Sequence, residues 1–430
     1  MKWMLKLPVV LLALIFFASV SFAQKKKLLA DPNNGGLKLQ KGFAAVTVIP
    51  EVGKSRHIAV NSNGDIYVKL ERLRNGKGIV VLRDKDGDGK SEIINSFGNF
   101  TGTGIAIKNG YLYASSNTEV FRFRLNEKNQ IVNPENPEKI ITGLLDRRQH
   151  NSKSIALDNE GNIYVNIGAY ANACQVQDRT MGSPGQDPCP ILDSAGGIWQ
   201  FKAEGINQSY GEGQRYCTGI RNIVGLDWNN NVNELYATQH GRDQLFQFYP
   251  NLYNEKQGAE LPAEEMFLVK KGSDFGWPYC YYDQFQQKKI LGPEYGGDAK
   301  KTDRCEGVDT PIVAFPGHWA PNALLFYTGN MFPAKYKNGA FIAFHGSWNR
   351  APLKQQGFKV VFVPFKDGKP NGKWEVFADG FAGKDQLDSP GDAKARPCGL
   401  AQGPDGSLYI SDSVKGRIWR IFYPGSKNVK

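Results

Sequence analysis

The chain has 430 residues, with 53 lysines and arginines against 42 acidic residues and a formal net charge of +11. The basic residues are scattered and form no recognition helix, which argues against a nucleic-acid partner. The modest excess suits an anionic ligand or an envelope surface. After the first two dozen residues, no stretch is apolar for long enough to cross a bilayer.

In chain order, Lys2 and Lys6, the apolar run from Val9 to Phe17 and the small-x-small site Ser21-Phe22-Ala23 read as a secretory signal over residues 1–23. The expected protein is exported, periplasmic or secreted, with no transmembrane segment after cleavage. Residues 24–42 are rich in Lys, Asn and Gly without periodicity and read as a mobile arm. Residues 43–49 are a strand. One theme then recurs: a short apolar strand, a turn of Gly, Asn or Asp, and a second strand ending in small or polar residues. It appears as His57-Ile-Ala-Val-Asn-Ser-Asn-Gly-Asp-Ile-Tyr-Val68, from Gly104 to Ala114, from Ile155 through Asn159-Glu-Gly-Asn162 to Val165, and from Val224 to Thr238. A degenerate copy runs from Ala323 to Phe344, and the cleanest from Cys398 to Ser411.

Repeats at roughly fifty-residue spacing, with further strands between them, mark a β-propeller. The expected fold is all-β: a six-bladed β-propeller of four-stranded antiparallel blades spanning residues 43–425 as one domain. The last copy is followed by one convincing strand, 417–422, so strand 43–49 is expected to complete its blade and close the ring. Insertions at 169–196 and 250–322 hold most of the Cys, Pro and Gly, and loops of this kind on one face of a scaffold carry binding. Six cysteines in an exported chain read as disulfide candidates. They allow fifteen pairings, of which proximity favours Cys174 with Cys189 and Cys280 with Cys305.

Two constellations could carry chemistry. Asp84-Lys-Asp-Gly-Asp-Gly89 sets Asp84, Asp86 and Asp88 at alternate positions, like the first half of a calcium loop, and offers a weak Ca²⁺ site. The second gathers at the ends of the inner strands, which in a propeller point at the axis: His150, Arg221, Asn222, His240, Arg242, His345, Arg350 and Arg396. Several guanidiniums around one hole suit a polycarboxylate or phosphate, and a histidine can exchange a proton near neutrality.

Gln149-His150 before Asn162-Ile-Tyr-Val-Asn-Ile-Gly168, Gly219-Ile-Arg-Asn222, Ala237-Thr-Gln-His-Gly-Arg-Asp243, His345-Gly-Ser-Trp-Asn-Arg350 and Arg396-Pro-Cys-Gly399 are the marks by which the chain resembles the soluble quinoprotein glucose/sorbosone dehydrogenases. The resemblance implies an oxidoreductase acting on a sugar or sugar-derived alcohol or aldehyde, with pyrroloquinoline quinone and Ca²⁺ as cofactors. It implies His150 as general base, Arg221 stabilising the developing oxyanion, Arg221, Asn222 and Arg396 holding the quinone, and backbone carbonyls of Gly241 and Arg242 ligating Ca²⁺. Arg242 stands where the glucose dehydrogenases have a proline, and no lysine near 346–350 matches their cofactor-gripping one, which leaves Arg350 or Lys415 as the candidates to replace it. The electron acceptor is not readable. Two rival readings are a glycan- or protein-binding propeller without catalysis and a gluconolactonase-like hydrolase with an axial metal.

Overall fold

Apolar residues alternating at period two on either side of a tight turn give each repeat the same inner hairpin. In the third, Ile155–Leu157 pairs antiparallel with Asn162–Ile167, Ile155 facing Val165 and Leu157 facing Ile163. Its turn is tied by Asp158, whose Oδ1 accepts the N–H groups of Glu160 and Asn162 while Oδ2 accepts the Tyr164 hydroxyl. Gly161 supplies the left-handed corner at φ +80.

In the computed structural model, which describes residues 28–425, six such hairpins grow outward into six antiparallel sheets. The innermost strands are Ser55–Val60, Ile105–Lys108, Ile155–Leu157, Ile223–Asn229, Pro321–Phe326 and Pro397–Gln402, each paired on one side only. The expected six-bladed propeller is thus the observed fold. Six hydrophobic clusters fill the wedges between neighbouring blades. Ala44–Ile49 pairs antiparallel with Ile418–Phe422, so the N-terminal strand completes the last blade. Insertion 250–322 does more than decorate one face, because it also supplies blade four with Glu264–Val269 and Val313–Phe315. Cys174–Cys189 and Cys280–Cys305 are bridged, and Cys217 and Cys398 are buried thiols.

The expected mobile arm requires correction over residues 28–42, while residues 24–27 and the signal segment 1–23 lie outside the described residues. Leu28 and Leu37 are buried in the wedge between the last two blades, and Lys38–Leu39 adds a fifth strand to the outer edge of Glu375–Asp379. Two other outer edges are covered likewise, by Gln208–Ser209 on Glu138–Thr142 and by Ser273–Asp274 on Gln214–Thr218. An open edge invites non-native pairing, and composition alone cannot reveal that a polar segment has such an edge to cover.

At one end of the axis the second strand of a blade holds the start of the next blade's inner strand. Ser115 Oγ donates to Lys153 O at 2.6 Å, Ser411 Oγ to Arg56 O at 2.7 Å and Thr238 Oγ1 to Pro321 O at 3.4 Å, while Asn166 Oδ1 accepts the Ile223 N–H. These bonds fix the strand starts that carry the residues described next. At the opposite end the axis opens into a cavity of about 440 Å³ walled by the inner strands.

Deleting residues 24–50 removes the fourth strand of the last blade together with Phe43, Ala45, Val46 and Val48, all buried. Lost burial of this size is expected to lower the melting temperature by roughly 10 °C or more. A circular-dichroism melt matching that of the full chain would refute ring closure by this strand.

Candidate functional site

His150 stands three residues before Lys153-Ser154, ahead of the third inner strand, with a left-handed backbone at φ +52. That conformation costs a non-glycine residue about 1 kcal/mol or more. It sets the ring so that Nδ1–H donates to Ala169 O at 2.5 Å. With Nδ1 as the donor, Nε2 carries the lone pair. Burial and then the neighbouring Arg221 charge draw the pKa of His150 down to about 3, so the ring is neutral at pH 7. Gly168 packs against it. A Cβ there would lie 2.6 Å from His150 O and 2.8 Å from Asn222 Oδ1, so only glycine lets His150 and Asn222 come together.

Arg221 is buried, with Nη1 donating to Gly241 O at 2.8 Å and Nη2 to Asp243 Oδ2 at 2.7 Å. Its Nε has no partner in the structure. Asp243 also takes Arg179 Nη2 at 2.8 Å and the amide of Asn349, and its backbone is clasped by Asn172 through Oδ1 and Nδ2. Burial alone would raise the Asp243 pKa, but the Arg221 and Arg179 guanidiniums outweigh it and hold the carboxyl well below the usual range. Gly241 is oriented from behind. Its N–H donates to Glu264 Oε2 at 2.9 Å, and the other oxygen of that carboxylate takes Ala320 N–H. Burial pushes Glu264 up to about 8.

Across the axis, Arg396 donates from Nε to His345 O at 3.0 Å and from Nη2 to Gly346 O at 2.5 Å. Burial lowers its pKa to about 10, and the like charge of Arg56 adds to the shift. Arg56 sits at the start of the first inner strand with Nε on Thr103 Oγ1 and Nη2 on Ser152 Oγ. Among the described residues neither Arg56 nor Arg396 has a carboxylate partner. His57, His240 and His345 surround the same axis with depressed pKa values, burial being the leading cause in each, and the first two fall to about 4. The Nε2 of His57 and of His240 faces a backbone carbonyl, Asn322 O at 2.7 Å and Pro321 O at 3.3 Å respectively. His345 likewise bonds through Nε2, to Ser413 Oγ, so of the four axial rings only His150 is held through Nδ1.

The structure therefore brings His150, Arg221, Asn222, Gly241 and Arg396 together and takes two expected anion-grippers away. The Arg242 guanidinium turns into the insertion and is ion-paired at 2.5 Å with Glu294, both side chains buried. Arg350 is likewise committed, to Glu260 Oε1 and the carbonyls of Ala259 and Gly317. A buried guanidinium needs a carboxylate nearby, and the long insertion supplies one for each. Asp84, Asp86 and Asp88 do converge, their oxygens within 4.8 Å. They follow Arg83, which is bonded to Asp65 in the hairpin turn, so they lie at the opposite end of the blade from His150. Arg56 was not among the expected residues, although it heads its inner strand just as Arg221-Asn222 and Arg396 head theirs. Asp243 carried no comparable signal.

A family model described as TrAA12-like matches residues 37–423. An uncharacterized protein of Borreliella burgdorferi is 27% identical over 279 residues, 64% of this chain and 61% of its own. A pyrroloquinoline quinone-dependent pyranose dehydrogenase of Coprinopsis cinerea is 26% identical over 231 residues, 47% of this chain and 30% of that protein. The chain thus matches less than two thirds of the length of either relative. The calcium structure of a Trichoderma reesei carbohydrate-active enzyme of family AA12 superposes with a TM-score of 0.71 at 17% identity, covering 93% of this chain and 99% of that one. At that identity the likeness speaks for the fold.

Neutral buried histidines make stability depend on pH. Above pH 6.5 both folded and unfolded rings are uncharged and nothing is lost. Below it the unfolded state takes up protons that folded His57, His150 and His240 refuse until about pH 3 to 4. Each such ring costs up to about 1.4 kcal/mol per pH unit in that window. The melting temperature is expected to fall from pH 7 to pH 5, and His240→Gln to flatten part of the fall. An unchanged slope in that variant would contradict the depressed pKa of His240.

Proposed function

The chain belongs to the TrAA12-like family, and on that premise we propose that it is an oxidoreductase that oxidises a sugar with pyrroloquinoline quinone and Ca²⁺ as cofactors. The observation that carries this reading is the charge of the axial site. Three guanidiniums, those of Arg56, Arg221 and Arg396, share one hole with a single ion-paired carboxylate, Asp243, beside a histidine whose Nε2 is open. Cations held together with too few counter-ions favour a polyanionic ligand, and the quinone carries three carboxylates. The Arg221 Nε is a further buried donor left without a partner in the structure.

Arg56 and Arg396 would hold the carboxylates, and Arg221 and Asn222 would face the quinone oxygens. The carbonyls of Gly241 and Arg242 would ligate Ca²⁺. Since Ca²⁺ takes six to eight oxygens and no carboxylate cluster lies there among the described residues, its other ligands would come from the quinone and water. The one such cluster among the described residues, Asp84 with Asp86 and Asp88, would be a separate and weaker Ca²⁺ site. The lack of convergent carboxylates at the axis also weighs against the metallo-hydrolase reading.

When bound, the quinone supplies a two-electron acceptor for hydride and the ion a Lewis acid. The chain's own share is proton handling and orientation. His150 Nε2 accepts the proton of the substrate hydroxyl as the neighbouring carbon–hydrogen bond is broken. Ala169 O and the Asp243 carboxylate favour the resulting imidazolium, and Arg221 opposes it and so promotes release of the proton. Arg221 also lies where it can stabilise negative charge developing on oxygen. Two disulfides fit an oxidising compartment, in line with an exported protein. No helix among the described residues is long and apolar enough to cross a membrane.

His150→Ala, reconstituted with quinone and Ca²⁺, is expected to keep quinone binding and lose sugar oxidation by about two to four orders of magnitude. A near-parental rate in a dye-linked assay would remove His150 as the base. By calorimetry, quinone affinity should fall on Ca²⁺ chelation and in both Arg56→Ala and Arg396→Ala, but stay unchanged in Arg350→Lys. Retained affinity in the first two variants would break the charge argument.

A further inference from the structure

The second insertion reaches the axial site through side chains that the proposed chemistry does not use. Its residues Cys280–Asp283 and Lys288–Leu291 pair only with each other, as a two-stranded sheet tied by Cys280–Cys305. From this hairpin Lys289 enters blade four, where Nζ meets Glu265 Oε2 at 2.6 Å and donates to Phe275 O at 2.9 Å. Both Lys289 and Glu265 are buried. Glu265 Oε1 accepts Gln239 Nε2–H at 2.9 Å from the neighbouring strand, where the two residues face each other in register. Gln239 Oε1 in turn accepts the Arg221 N–H at 2.8 Å. Arg221 O accepts the Ala169 N–H at 2.8 Å, and Ala169 O takes the His150 Nδ1–H. A chain of bonds therefore runs from the insertion to the ring.

A buried ammonium and carboxylate gain little over apolar side chains of the same shape, so anchoring the hairpin does not by itself call for them. What the pair adds is direction. A carboxylate fixed by Lys289 offers Gln239 one acceptor in one place, and that sets which way the Gln239 amide turns. Arg221 precedes its strand, so its N–H has no ladder partner and needs the acceptor that Gln239 presents. We propose that Gln239, Glu265 and Lys289 are positioning residues, through which the second insertion sets Arg221 and the His150 ring relative to each other. This rests on the roles given to His150 and Arg221 above. The three act at a distance: they hold Arg221 by its N–H, while Arg221 O holds Ala169 and Ala169 O holds the ring.

The test uses Gln239→Met, which removes the link, and the double variant Glu265→Leu/Lys289→Met, which removes its anchor. Replacing a buried ion pair by apolar residues of similar volume is often neutral or stabilising. The double variant is therefore expected to melt close to the parental protein, and it decides the matter if Gln239→Met does not fold. Loaded with pyrroloquinoline quinone and Ca²⁺, both variants are expected to lose roughly ten- to a hundred-fold in kcat, with sugar KM and quinone affinity within about two-fold of parental values. In the apoprotein, imidazole ¹⁵N spectra assigned with His150→Ala should show a single Nδ1–H tautomer for parental His150 and a mixture in both variants. A folded double variant with parental kcat and an unchanged His150 tautomer would overturn the inference alone. So would a loss confined to KM or to the melting temperature, which would leave the ion pair as an anchor of the hairpin and nothing more. Absence of sugar oxidation by the parental holoprotein would overturn the oxidoreductase reading, and the positioning chain would then stand or fall on the apoprotein spectra.

Discussion

One buried carboxylate holds the functional face together. Asp243 sits at the end of an inner hairpin and receives Arg221 from the neighbouring strand start, Arg179 from the first insertion and Asn349 from the loop between the second and third strands of blade five. An unpaired ion in that position would cost several kcal/mol. Three loops that share no sequence proximity are therefore obliged to converge on it. The same bonds set the electrostatics of the hole. Asp243 neutralises Arg179 and Arg221 only in part and does nothing for Arg56 and Arg396, so the site keeps a surplus of positive charge in the absence of an anion.

That surplus is tolerable because the scaffold is stiff. The hydroxyl and amide bonds from Ser115, Asn166, Thr238 and Ser411 tie four of the six inner-strand starts to the preceding blade, and the N-terminal strand closes the propeller. Like charges mounted on a soft frame would move apart. Mounted here they remain a preformed anion site, whose repulsion a polyanionic ligand relieves. The depressed histidine pKa values have the same origin, since burial and the nearby guanidiniums both resist further protons. Stability is coupled to this arrangement through those rings, and acid weakens it.

The insertions divide the labour. The first, closed by Cys174–Cys189, delivers Arg179 and Asp178, the latter bonded to Gln149 just before His150. The second, carrying Cys280–Cys305, delivers Glu264 behind Gly241, and Glu260 and Glu294 to absorb Arg350 and Arg242. The loops thus decide which cations remain available at the axis.

The amino-acid sequence by itself determined the propeller, its six blades, the closing strand and the positions from which His150, Arg221 and Arg396 project. All of these follow from a local rule, the alternation of apolar residues about a turn, repeated often enough to be counted. Covering of blade edges by short polar segments escaped that rule, as did the packing of Leu28 and Leu37, because each depends on a surface made elsewhere in the chain. The largest divergence concerns the arginines. Arg221 and Arg242 are near neighbours of the same chemical type, yet one is paired with Asp243 beside His150 while the other is paired with Glu294, 52 residues further on. Where a strand start lies is a short-range property of backbone and pattern. Which way its guanidinium points is settled by the nearest carboxylate in space, and only the tertiary structure decides where that is.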